Sequence, residues 1–278
     1  MINRKLKSLI LRPFISAVPA KKGLVVLTLH NLLPDEYHWF EFLLSSLKET
    51  YEFVNPEELN CTQLATNKLK ILLTFDDGFY SSFDVTQKYL QKYKIKAIFF
   101  ITEDFINLDA ESSLGFANKS FFPKSLVDYD NKLNYLPMNW DEIMQLKAQG
   151  HTIGAHTAKH PVLSEIKNEG ILFDEIVSSS DRLEERIGEK VDFFAFPFGT
   201  PQSVNKQALK LASKRFKFIF SNVRGSVINS PNEKFIFRQN LVPGDPFWLV
   251  KTMIEGRWDW KYKKLQQESH KLCREIKD

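Results

Sequence analysis

The chain's 278 residues carry 38 basic and 34 acidic side chains, a net charge of +4, with 43% apolar and 26% charged residues. These values exclude a disordered or collagen-like chain, and the lack of a basic stripe interleaved with aromatic rings excludes a nucleic-acid-binding surface. At about 150 residues per domain the length allows one large or two small domains, with a core able to take up many of the 24 Phe and 5 Trp without disulfide staples.

The first stretch imitates a secretion signal, with Arg4, Lys5 and Lys7 ahead of Leu9–Ile10–Leu11 and small residues up to Ala20. Arg12 and Pro13 cut its apolar run short, so residues 1–23 read as a basic, apolar arm that packs on the domain or rests on a membrane surface. Residues 24–278 read as one domain, with no linker or repeat dividing them. Cys61 and Cys273 stand far apart and read as two thiols. Together with the interrupted apolar run they predict a protein of the cytoplasm or the cytoplasmic face of the inner membrane. The basic ends, Lys5–Lys7 and Lys261–Lys264, add weak attraction to anionic lipid.

In chain order, Val25–Leu29 reads as a buried strand and Glu36–Tyr51 as a helix with Trp39, Phe42, Leu43 and Leu47 at helical spacing. Leu69–Phe75 is a strand, Phe79–Tyr93 a helix and Ala97–Ile101 a strand, while Thr102–Met138 reads as a long irregular insertion. Asn139 is a candidate N-cap for Trp140–Gln149, with Gly150 as its C′ residue. Short strands follow near Thr152–Ala155, Phe193–Phe196, Phe218–Phe220 and Phe235–Leu241. A basic amphipathic helix over Trp258–Lys277 closes the domain. Roughly seven strands alternating with helices predict an α/β fold, a closed or nearly closed barrel with its chemistry at the C-terminal strand ends.

Two segments carry that chemistry. Leu72–Leu73–Thr74–Phe75–Asp76–Asp77–Gly78 is an apolar strand that ends in two carboxylates, and a turn at Gly78 can aim both at one cavity. An Asp-Asp-Gly turn is also ordinary loop chemistry. In Gly154–Ala155–His156–Thr157–Ala158–Lys159–His160–Pro161, two imidazoles four apart can share one face of a helical turn and offer two nitrogens to a metal. They can equally be surface or capping histidines. Two His nitrogens and one carboxylate oxygen leave positions open on Zn²⁺ for water and substrate, and the second carboxylate is then available as a base. Nitrogen and oxygen donors of this kind accept Ni²⁺ or Co²⁺ as well.

Thr74–Phe75–Asp76–Asp77–Gly78, His156–Thr157–x–x–His160 and Phe196–Pro197–Phe198–Gly199, in this order, resemble the successive motifs of the polysaccharide deacetylase family of metal-dependent carbohydrate esterases. The resemblance covers about Leu24–Ile254. It implies a single distorted (β/α)7-type barrel that hydrolyses acetyl groups, usually N-acetyl, from a sugar of a cell-surface or lipid-linked glycan. It also implies Asp76 as general base, Asp77, His156 and His160 as metal ligands, and the backbone N–H of Phe198 as an oxyanion donor. An O-acetyl esterase and a non-catalytic, metal-retaining carbohydrate-binding barrel are alternatives on the same scaffold.

The chain departs from the family pattern twice. Ala195 stands where many members have an Arg that orients the base; Arg238, in a strand-like run, can replace it by pairing with Asp76, or can lie on a solvated face. The late leucine-x-x-histidine motif is missing, since His270 lies in a polar helix. His30 ends the first strand at the same rim as Asp76, which resembles the permuted arrangement of poly-N-acetylglucosamine deacetylases and makes it the candidate acid; a strand-end His held by a neighbouring loop is the other reading. Phe198, Trp140, Trp248 and Trp258 are candidates for stacking on a sugar ring, with Trp140 and Trp248 favoured as core.

Overall fold

The computed structural model describes residues 15, 17–60, 69–122, 130–225 and 235–276. Parallel strands form its centre: β1 (Gly23–Leu29), β2 (Glu52–Phe53), β3 (Leu69–Phe75), β4 (Ala97–Ile101), β5 (Thr152–Ala155), β6 (Phe193–Ala195), β7 (Phe218–Phe220) and β8 (Gln239–Asn240). Their order is β7-β6-β5-β4-β3-β1-β8, with β2 paired to the early residues of β3. Phe220 bridges to Ile236, and Gln239 and Asn240 pair with Leu27 and Thr28. Residues 236–240 thereby bring the two sheet edges together as a distorted (β/α)7 barrel, the architecture expected from the alternating pattern. The apolar runs are strands because the sheet is covered on both faces: all seven β1 residues and all five of β4 are buried.

The helices are α1 (Tyr37–Thr50), α2 (Tyr80–Val85), α3 (Gln91–Tyr93), α4 (Ala110–Phe116), α5 (Trp140–Ala148), α6 (Glu169–Phe173), α7 (Ser179–Ile187), α8 (Lys206–Arg215), α9 (Phe247–Ile254) and α10 (Lys263–Arg274). The helix expected over Phe79–Tyr93 begins at Tyr80 and passes through a π turn, Thr86–Leu90. Asn139 caps α5 as expected: its side chain accepts the Glu142 N–H at 2.9 Å and Glu142 reaches back to the Asn139 N–H, while Gly150 takes a φ of 80°. The helix expected from Trp258 opens instead as a 3₁₀ turn, Asp259–Tyr262, before α10. None of the described helices is long and apolar enough to cross a membrane.

Two expectations are corrected. The run Phe235–Leu241 is a strand only at β8, because the Arg238 N–H leaves the ladder for the Val223 carbonyl. The insertion over Thr102–Met138 is not irregular throughout. Asp109 caps α4 by accepting the Ser112 N–H at 2.8 Å, a π turn follows over Ala117–Phe121, and Phe79, Phe105, Leu114, Phe121 and Tyr135 bury one another in a separate aromatic cluster. Edge-to-face pairs such as Phe79–Phe105 at 5.0 Å and Phe105–Phe121 at 4.9 Å fasten it over the C-terminal rim, each adding about 0.5–1.5 kcal/mol beyond area burial.

Alternate strand positions fill the barrel: Leu24, Val26, Leu72, Ile98, Phe100, Phe193, Ala195, Phe218 and Phe220, closed by Ile236. Gly154 leaves room for Phe100, whose ring a Cβ there would meet at 2.6 Å. Above this apolar stack the inward positions turn polar, at Thr28 and Thr74, paired in register across β1 and β3. That is the floor of the site.

Candidate active site

The β1–β3 register sets the first two groups. Leu29 lies opposite Phe75, and the Asp76 N–H donates to the Leu29 carbonyl at 3.0 Å, so His30 and Asp76 leave their strands at one level. His30 Nε2 lies 3.8 Å from Asp76 Oδ2, its ring partly open to solvent. Asp77 turns the opposite way through a φ of 76°, and Gly78 follows at 97°, where an added Cβ would meet Ile106 at 2.9 Å. Asp77, Thr157, His160 and Phe198 account for four of the seven described non-glycine residues with positive φ. Such cost, of order 1–3 kcal/mol per residue, persists only where the surroundings enforce it, commonly at functional sites.

Arg238 is fully buried within the barrel and engages Asp76 in a fork, Nη1 to Oδ1 and Nη2 to Oδ2, both at 2.7 Å. Its Nε donates to the Ser221 carbonyl at 2.8 Å, and Nη1 also reaches the Thr28 and Thr74 hydroxyls at 3.2 Å. The guanidinium carbon stands 5.5 Å over the Phe100 ring, closing the apolar stack below. Burial alone pushes the Asp76 carboxyl up, but Arg238, followed by His156 and His30, overrides it and holds the group well below the usual carboxylate range. The solvated-face reading of Arg238 is therefore set aside. Ala195, in place of the expected Arg, is buried and contributes its carbonyl instead.

The His156–His160 segment is a loop, not the helical turn its spacing suggested. Thr157 and His160 take φ of 67° and 58°, the Thr157 hydroxyl accepts the His160 N–H at 3.0 Å, and buried Glu175 accepts the Ala158 and Lys159 N–H groups at 3.0 and 2.9 Å. Those bonds replace the helical ladder. Both imidazoles are oriented from behind: His156 Nδ1 faces the Ala195 carbonyl at 2.7 Å, and His160 Nδ1 the Ser120 carbonyl at 3.0 Å. A carbonyl only accepts, so each Nδ1 carries the proton and each Nε2 presents a lone pair.

Those lone pairs point at Asp77. Its Oδ1 lies 3.4 Å from His156 Nε2 and 3.6 Å from His160 Nε2, and it is buried without a hydrogen-bond partner. Three acceptors facing one another repel unless a cation lies between them. The separations suit one: ligands at about 2.0–2.1 Å around a tetrahedral Zn²⁺ stand roughly 3.3 Å apart. The donor atoms of Asp77, His156 and His160 all lie within 4.8 Å of one another. Burial pushes the His160 imidazole down to about 4 against the pull of Asp77, so it stays neutral, as a ligand must.

Phe198 sits on the turn after β6, where its ring meets His160 edge-to-face at 4.8 Å; Gly199 behind it has no room for a side chain, a Cβ there lying 2.3 Å from the Asn222 nitrogen. Phe121 covers the other side of His160 at 4.9 Å. A cleft of about 880 Å³ opens beside these rings, walled by Leu108, Phe116, Pro161, Val162, Ile166 and Phe198. The other aromatic candidates lie elsewhere. Trp140 packs under Arg186 at 4.7 Å, Trp258 is buried beside Ile15, Leu249 and Met253, and Trp248 packs against that same cluster. His270 is exposed on α10. Glu175, the Ser120 carbonyl and the Thr28–Thr74 floor escaped the sequence reading, since none belongs to a motif.

The sequence matches the family model described as Polysaccharide deacetylase over residues 63–215, more than half of the chain. His30 and Arg238 lie outside that segment. Among solved structures, IcaB from Ammonifex degensii is 21% identical, with 85% of this chain and 98% of that one covered at a TM-score of 0.66. Streptococcus pyogenes deacetylase PplD, solved in complex with acetate, is 21% identical with 84% and 99% covered at 0.61. A de-N-acetylase from Aggregatibacter actinomycetemcomitans is 17% identical with 84% and 100% covered at 0.61. No curated protein matches the sequence significantly. These neighbours share the barrel fold, and the motif-bearing segment fixes the family: the chain belongs to the polysaccharide deacetylases.

Proposed function

We propose that this family member is a metal-dependent N-deacetylase acting on an acetamido sugar of a cell-surface or lipid-linked glycan. The observation that carries the reading is the buried, unpartnered Asp77 Oδ1 facing two imidazole lone pairs, beside an Asp76 held ionised by Arg238. Asp77, His156 and His160 would hold Zn²⁺, with Ni²⁺ or Co²⁺ accommodated by the same donors. Bound there, the ion supplies Lewis acidity to the acetyl carbonyl and to water.

The protein's own groups do the rest. Asp76, ionised throughout the neutral range, takes the proton of the attacking water, and Arg238 fixes which way its carboxylate points. As water adds to the acetyl carbon, the oxygen that gains charge accepts the Phe198 N–H. His30 then donates a proton to the sugar nitrogen as the C–N bond breaks, releasing acetate and a free amine. The His30–Asp76 separation of 3.8 Å keeps acid and base on one side of the reacting group. Acetate release from N-acetylated and O-acetylated sugars, with metal-stripped and reloaded protein, tests the reading. Turnover of N-acetyl sugars only after reloading is expected; turnover confined to O-acetyl esters, or none with metal bound, overturns it.

A further inference from the structure

We propose that the face made by the N-terminal entry, α9 and the start of α10 docks on an anionic lipid bilayer. Residues 1–14 contain Arg4, Lys5, Lys7 and Arg12 with no acid, alongside Ile2, Leu6, Leu9, Ile10, Leu11 and Phe14. This stretch leads into Ile15, which is buried against Leu249, Met253 and Trp258. The Lys21 N–H donates to the Glu255 carbonyl at 3.0 Å, the Lys21 ammonium pairs with Asp259 at 2.6 Å, and Arg257 holds the Val18 carbonyl. The basic, apolar segment is thus delivered to one fixed place.

A second set of residues, more than two hundred positions away in sequence, surrounds that place. Trp260 is 61% exposed, and the exposed Lys261 lies 5.5 Å from its ring and 4.1 Å from that of Trp258. Lys263 and Lys264 are also exposed, the latter only loosely paired with Glu268 at 4.0 Å. Across α9, Phe42 is 57% exposed and meets Phe247 edge-to-face at 6.0 Å. The acids nearby, Glu255 and Asp259, are buried and paired to Arg257 and Lys21, so lysine charge and aromatic rings are what this face offers to solvent. An indole at headgroup depth beside point-charge ammonium groups suits a bilayer better than a folded acidic partner, and two weak anchors on one face combine where either alone is marginal.

The test is co-sedimentation of the full chain with phosphatidylcholine vesicles, with and without phosphatidylglycerol. Binding is expected only to the anionic vesicles and should weaken as salt rises. The variant Trp260→Ala with Lys261→Glu and Lys264→Glu, all exposed positions, should lose roughly tenfold or more in partitioning while keeping its melting temperature and its acetate release from a soluble sugar. No binding at low salt, unchanged binding by the variant, or preference for soluble polyglutamate or duplex DNA over vesicles overturns the proposal.

Discussion

Buried histidines stand at both rims of the barrel, and the contrast lies in what their second ring nitrogen meets. At the C-terminal rim, His156 and His160 each give Nδ1 to a backbone carbonyl and aim Nε2 at the Asp77 carboxylate. At the N-terminal rim, His151 accepts the Ala97 N–H on Nδ1 at 3.2 Å, lies edge-on to Phe99, and leaves Nε2 buried with no partner. Burial pushes both His151 and His160 down to about 4. The same desolvation makes a ligand where lone pairs converge on a carboxylate, and a silent core residue where one points at nothing.

The largest effect should come from breaking that convergence. His156→Ala should lose both the bound divalent ion, measured by elemental analysis, and all acetate release, whereas His151→Gln should keep one ion per chain. A His156→Ala protein that retains full metal would refute the ligand set. Next in size is His30, which touches Asp76 but not the ligand cluster. General acid catalysis supplies roughly 10²–10⁴-fold, so His30→Ala should lower kcat by about that factor at unchanged metal content. A kcat within about threefold of the parent would move the proton donor elsewhere.

Arg238 sharpens the contrast from inside the barrel. Replacing it with Met leaves Asp76 buried and unpaired, a loss of about 3–5 kcal/mol that chemical denaturation would report. Adding Asp76→Leu to Arg238→Met should restore most of that stability and none of the activity. Equal stability of the single and double variants would show that the fork adds nothing to the fold. Arg238→Lys should not rescue, because an ammonium cannot make both 2.7 Å bonds at once.

The parts of this site that lie on strands were readable from sequence. Val25–Leu29 and Leu69–Phe75 are continuous apolar runs that end in His30 and in Asp76–Asp77, and period and burial together fix where such runs must sit. Arg238 was harder to place. Its neighbours read as a strand, whose alternation leaves the side chain either inside or outside, and only the Val223 bond shows how the backbone turns it inward. The helical reading of His156–His160 failed because spacing alone carries no φ, and the carboxylate that holds the loop, Glu175, lies on another element. Least readable was the insertion. Its link to the site is a backbone carbonyl, at Ser120, and a carbonyl has no sequence signature.

The smallest effect tests the silent histidine. His151 is 5% exposed, and burial first, then the nearby Lys96 charge, lowers its imidazole from an ordinary 6.5 to about 4. Above pH 6.5 the imidazole is neutral folded and unfolded, and contributes no pH dependence. Between 6.5 and 4 the unfolded chain takes up a proton that the fold refuses, so its contribution to stability falls as pH falls, by about 3 kcal/mol at most, and levels off once the folded state protonates too. His160 and the carboxylates add their own pH dependence, which cancels in a comparison at one position far from them. His151→Gln keeps an acceptor for the Ala97 N–H but cannot titrate. The melting temperature of the parent relative to this variant should therefore drop steadily from pH 6.5 to 4. A difference that stays flat across that window would mean that the ring is protonated in the fold, and that burial at this rim does not do to a histidine what it does at the other.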